Sequence, residues 1–177
     1  MIVCLLWLSS AWAGPTVDVD GAHLELPSGA VMTAESATID ATHQVNARGT
    51  RAQHGDLIIT AEVTRWAVQD GRGVFEGDVR AVQGDLRFTC ARVEVQLDED
   101  GSVQRAVASG PVQVRQGGRT AVGEGAVFSK GRLVLSGDAI VRDGLHEMKG
   151  AEIVFEVGQE TIECTACTMT VRSESKE

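Results

Sequence analysis

The sequence predicts an all-β protein. Three observations carry this: strict alternation of apolar and polar residues, turn signals at short intervals, and a glycine-marked phrase that recurs along the chain. Val93-Glu94-Val95-Gln96-Leu97 places Val, Val and Leu on one face and Glu and Gln on the other, and Leu86–Cys90, Val112–Arg115 and Ile153–Val157 behave alike. Gly55-Asp56, Asp70-Gly71, Gly84-Asp85, Asp100-Gly101, Gly117-Gly118 and Asp143-Gly144 interrupt the alternation. No window sustains the 3.6-residue period of a helix.

Taken in order, residues 1–13 (MIVCLLWLSSAWA) carry no charged side chain and end on Ala11-Trp12-Ala13. They read as a cleaved secretory signal peptide, leaving residues 14–177 as a single exported domain. A retained anchor is the alternative, although a bilayer span takes roughly 20 apolar residues. The repeat-bearing part covers about residues 29–160. A weak first copy runs from Gly29 to Ile39. Fuller copies begin at Gly49, Gly77, Gly110 and Gly137, spaced by 28, 33 and 27 residues. A second glycine follows at Gly55, Gly84, Gly117 and Gly144, and then a small residue at Ala61, Ala91, Gly123 and Gly150. Each unit reads as strand, tight glycine turn, strand, bend, strand.

Such units bury an apolar face only by stacking. Two facing sheets would enclose an interior lined by Ile39, Ile59, Phe75, Val79, Phe88, Val93, Val95, Val112, Val114, Phe128, Leu133, Leu135, Met148, Ile153 and Phe155, with Arg80, Arg87, Arg92, Glu94, Arg115 and Glu156 facing water. Patterning alone fits an ordinary sandwich core as well as an open groove.

A net charge of −9 and a pI near 4.9 argue against nucleic acid, which demands clustered Lys and Arg. Tyr is absent and aromatics make up 4 %, so stacking platforms are scarce. No Ser/His/Asp or Cys/His arrangement, phosphate-cradling loop or metal-ligand cluster is legible, so neither an enzyme nor a cofactor or metal site is expected. Cys164-Thr-Ala-Cys167 is a candidate local disulfide, with free thiols as the alternative. Cys90, in step with Phe88 and Leu86, reads as a small buried hydrophobe.

The stretch GDVRAVQGDLRFTCARVEV, Gly77 to Val95, and its echo from Gly131-Arg132-Leu133-Val134-Leu135-Ser136-Gly137-Asp138 to Gly150-Ala151-Glu152-Ile153-Val154-Phe155, resemble the LptA/OstA-like domain family of lipopolysaccharide export. The resemblance covers about residues 29–160. It implies a β-jellyroll of about sixteen antiparallel strands in two splayed sheets, with an apolar groove between them. It further implies a periplasmic carrier that shields lipopolysaccharide acyl chains there on the way from inner to outer membrane. Partners are then the inner- and outer-membrane components of that transport, joined by edge-strand pairing through Thr16–Leu26 and Thr161–Val171, with head-to-tail self-association. Ala139 departs from the family's Val, and the C-x-x-C is not a family feature. The competing expectation is a β-solenoid-like envelope filament without lipid cargo, against which the unequal repeat spacing argues.

Overall fold

The structure is a computed structural model that describes residues 17–25, 29–156 and 162–171. The predicted signal peptide lies outside the described residues. Twelve strands are present: β1 (Val17–Glu25), β2 (Val31–Ile39), β3 (Gln44–His54), β4 (Leu57–Ala67), β5 (Arg72–Gln83), β6 (Leu86–Leu97), β7 (Val103–Gln116), β8 (Arg119–Ser129), β9 (Arg132–Asp143), β10 (His146–Glu156), β11 (Ile162–Thr165) and β12 (Thr168–Val171). They pair antiparallel in chain order from β1 to β11, and β12 pairs with β10 beside β11. A solenoid stacks its rungs in parallel coils, so an antiparallel meander is a different architecture.

The all-β class and the hairpin turns are as the sequence predicts, while the described residues hold twelve strands rather than about sixteen. The reason lies at the bends. Gly84, at φ +57°, turns the β5–β6 hairpin, and Gly55, Gly117 and Gly144 occupy the matching turns. The first glycine of each repeat does not end a strand. At Gly77 (φ +79°) β5 spends three residue steps, from Glu76 to Val79, against two on β6, from Arg92 to Cys90. The ladder resumes beyond this bulge, so one long strand stands where two short ones could be counted. Gly110 on β7 and Gly137 on β9 sit at the equivalent bulges against β8 and β10, whereas β3 passes Gly49 (φ +59°) with its register to β4 unbroken.

The bends also switch the phase of burial. In β6, Leu86, Phe88 and Cys90 point inward before the bend, and Val93, Val95 and Leu97 after it. In β4, Ile59 and Ala61 give way to Thr64 and Trp66. A flat strand would carry one parity throughout. Here the change of parity keeps both halves of a strand facing one interior, so a single sheet creased along its bends supplies both apolar walls. Phe75, Val79, Leu135 and Ile153 are at most 1 % exposed and lie fully within that interior. Trp66 lies over Gly73, whose missing side chain makes room for the ring, and meets Phe75 edge-on with centroids 6.1 Å apart.

Outside, charges pair across strands. Glu76 on β5 bonds Arg65 of β4 at 2.6 Å and also Arg92 of β6, which reaches Glu94 at 2.6 Å. The Arg92 guanidinium is held further toward its charged form, chiefly by the hydrogen bond to Glu94.

Candidate apolar groove

Between the two walls lies a cavity of about 350 Å³. Ile59 and Phe88, from the halves of β4 and β6 next to the Gly55 and Gly84 turns, face Val93, Val95, Phe128 and Leu133 from the opposite halves of β6, β8 and β9. These six are among the fifteen lining residues read from the sequence. The rest also lie on the inward face but play other parts. Phe75, Val79, Val112, Leu135 and Ile153 are closed into the core, and Ile39 and Met148 pack half-buried against it. Val114 and Phe155, with Leu133, border a small space of about 10 Å³, enough for one water.

Leu57, Ala81, Leu86, Val103, Ala106, Ala108 and Ala126 complete the apolar lining. Leu86 and Ala81 alternate in step with Phe88 and Val79, so their inward placement was available from the pattern. Val103 and Ala106 lie on either side of an irregularity in the β6–β7 register, opposite Gln96 and Leu97, that alternation does not reveal. The alanines matter for volume, since a larger residue at these positions would fill the space.

The cavity reaches the surface at strand ends. There it is bordered by His54, Asp56 and Gln83 from one wall and Ser102 from the other. Gln83 Nε2 donates to Asp56 Oδ1 at 3.1 Å. His54 Nδ1 is buried and has no hydrogen-bond partner among the described residues. Among the described residues no Lys or Arg lines the cavity.

Cys164 in β11 and Cys167 in the turn before β12 have their Cα atoms 6.0 Å apart and are joined as a disulfide. They lie over Gly150, where any side chain would strike both sulfurs. The β10 ladder shifts register at this point, between Gly150 and Glu152. Cys90 is buried and unpaired. Its thiol donates to the Arg92 carbonyl at 3.3 Å, and burial pushes its pKa up to about 11.

An antiparallel sheet creased around an apolar interior, with a free strand at each end, defines a β-jellyroll of the splayed kind. The sequence places it further. A family model described as "LptA/(LptD N-terminal domain) LPS transport protein" matches residues 58–161, more than half of the chain. The chain belongs to that family of lipopolysaccharide transport proteins. Its fold is similar to the crystal structure of LptH, described as "the LptA homologous periplasmic component of the conserved lipopolysaccharide transport device from Pseudomonas aeruginosa". The TM-score is 0.60 at 18 % identity, over 66 % of this chain and 95 % of that one. No curated protein sequence matches the chain.

Proposed function

We propose that this protein carries lipopolysaccharide through the periplasm with acyl chains held between the two walls of its creased sheet. One observation carries the reading: an apolar cavity walled by opposite halves of different strands, opening at the strand ends. Family membership supplies the cargo class. Burial of one CH₂ is worth about 0.8 kcal/mol, so exposing a twelve-carbon chain to water costs on the order of 10 kcal/mol. An apolar trough exchanges one hydrocarbon contact for another and lets the lipid move at nearly level free energy. Sugars and phosphates remain outside.

The bridge role rests on the sheet's two ends. Among the described residues β1 pairs only with β2, and β11 and β12 pair only with β10, so within them the sheet has a free backbone edge on each side. Met169 and Val171 on β12 are 61 % and 64 % exposed, and Met169 stands opposite Met148 in the sheet. A second copy or a membrane-bound partner pairing there would cover both and extend the apolar wall.

Native mass spectrometry of the protein with lipopolysaccharide tests the reading, compared with Phe88→Asp. Phe88 lines the cavity yet is only half-buried, so the variant is expected to fold by circular dichroism and to lose the lipid. Equal binding by a folded Phe88→Asp variant, or none by the native protein, would remove the groove as the carrier site.

A further inference from the structure

The outer face of one wall carries a charge opposite to that of the chain. In the halves of β5–β10 next to the Gly84, Gly117 and Gly144 turns, Ala81, Phe88, Val114, Ala121, Val141 and Met148 face the interior, so their neighbours alternate outward. Those outward positions hold Arg80, Arg87, Arg115, Arg142 and Lys149 against Glu147, in a protein of net charge −9. Glu147 bonds Arg142 at 2.8 Å and Lys149 at 3.4 Å, and Asp78, at the bulge, bonds Arg80 at 2.5 Å. Arg87 and Arg115 are left over. Both are exposed, and among the described residues neither makes an ion pair or a side-chain hydrogen bond, Asp85 on the turn before Arg87 included.

The two arginines stand directly opposite each other on β6 and β7. Like charges so placed repel across a sheet, and an anion between them would remove that cost. Thr89 and Gln113, the next outward pair, and Thr120, opposite Arg115 on β8, add hydrogen-bond donors around them. Arg80 lies opposite Thr89, diagonal to Arg87 and roughly 7–8 Å from it. Two guanidinium forks flanked by hydroxyls match the oxygens of a phosphate. Their place in the wall points the same way. Leu86, Val114 and Gln116, the chain neighbours of Arg87 and Arg115, border the apolar space on the inner side. Leu86 and Gln116 belong to the last ladder pairs before the Gly84 and Gly117 turns, so each arginine stands one residue, ~3.4 Å, from the lip of the wall on its outer side.

We infer that Arg87 and Arg115 form a subsite for a phosphate on the head of the lipid cargo. The inference rests on the groove reading above and adds where the charge of the head is held: hydrocarbon lies inside the wall, and the phosphate is clamped just over its lip.

The test measures binding of lipopolysaccharide to the full chain by native mass spectrometry, before and after its phosphate monoesters are removed with alkaline phosphatase. The native protein is expected to bind the intact lipid about tenfold more tightly at low salt, with the gap narrowing as salt rises. Arg87→Gln with Arg115→Gln, at exposed positions, should keep the circular dichroism spectrum and bind both lipids alike. Arg87→Lys with Arg115→Lys keeps the charge without the fork and should retain part of the preference. Arg48→Gln with Arg72→Gln removes the same charge elsewhere and should retain all of it. Equal binding of the two lipids by the native protein overturns this inference and leaves the carrier reading intact. So does loss of the preference in the Arg48 and Arg72 variant, which would mean diffuse attraction, or competition by inorganic phosphate as strong as by the intact lipid, which would mean a site for the free ion. Arginine-dependent binding to phosphatidylglycerol vesicles without any preference between the lipids would make this face a membrane-docking surface instead. Absence of all lipopolysaccharide binding defeats the two readings together.

Discussion

Gly77 shows how much one residue decides. Its φ of +79° lies in the region L side chains avoid, and an added Cβ would collide with the Glu62 side chain. Gly77→Ala is expected to cost about 1–3 kcal/mol in urea unfolding, well above a typical surface substitution. Thr64 makes the opposite case. It is fully buried, and its hydroxyl has no partner among the described residues, so Thr64→Val should stabilise by about 1 kcal/mol. Cys90 gives a pH signature. Because its folded pKa of about 11 exceeds the 9.0 of a free thiol, the folded state holds its proton more tightly than the unfolded chain does. Its contribution is constant below about pH 9 and is lost as pH rises from there toward 11. A Cys90→Ala variant should show a flatter decline in stability across that window, and native Cys90 should resist alkylation until the protein unfolds.

At the scale of elements, the last strand is the weak point. β11 and β12 have four residues each, pair on one side only among the described residues, and are held at their junction by Cys164 and Cys167. The closed loop is short, so the chain-entropy gain is small, roughly 2 kcal/mol at most. Replacing both cysteines by Ser should speed amide hydrogen exchange in residues 162–171 and leave β3–β9 unchanged; equal slowing or speeding throughout would mean that this segment unfolds only with the whole sheet. Hairpins were legible because a glycine next to Asp or to another glycine marks most of the turns, and bends because a small residue recurs six or seven positions later. Strand number was not, since hydrogen bonding through a bulge leaves no trace in composition. Trp66 was missed for a related reason: its burial depends on Gly73 lying directly across the ladder, a matter of register. Phe75 and Phe88 alternate identically in the sequence, yet one is core and the other borders the cavity. Which halves of which strands face each other, the quantity that separates them, is set by crease and twist.

For the whole molecule, the proposed bridge predicts a mass that rises with protein concentration. Met169→Lys with Val171→Lys should hold it at the monomer while preserving the circular dichroism spectrum, as charge guards an open edge. An unchanged oligomer in that double variant would place self-association elsewhere. The sheet order carries a consequence for how the protein forms. Among the described residues each strand from β1 to β10 hydrogen-bonds only to the strands next to it in chain order, and β11 and β12 close on β10. Most β-sandwiches must wait for distant segments to meet, and they fold slowly for that reason. Here each new hairpin finds a template already beside it. The ladder can therefore grow one strand at a time in the order of synthesis, with the outer edge of β1 left behind and one other unsatisfied edge moving along the chain as it does so.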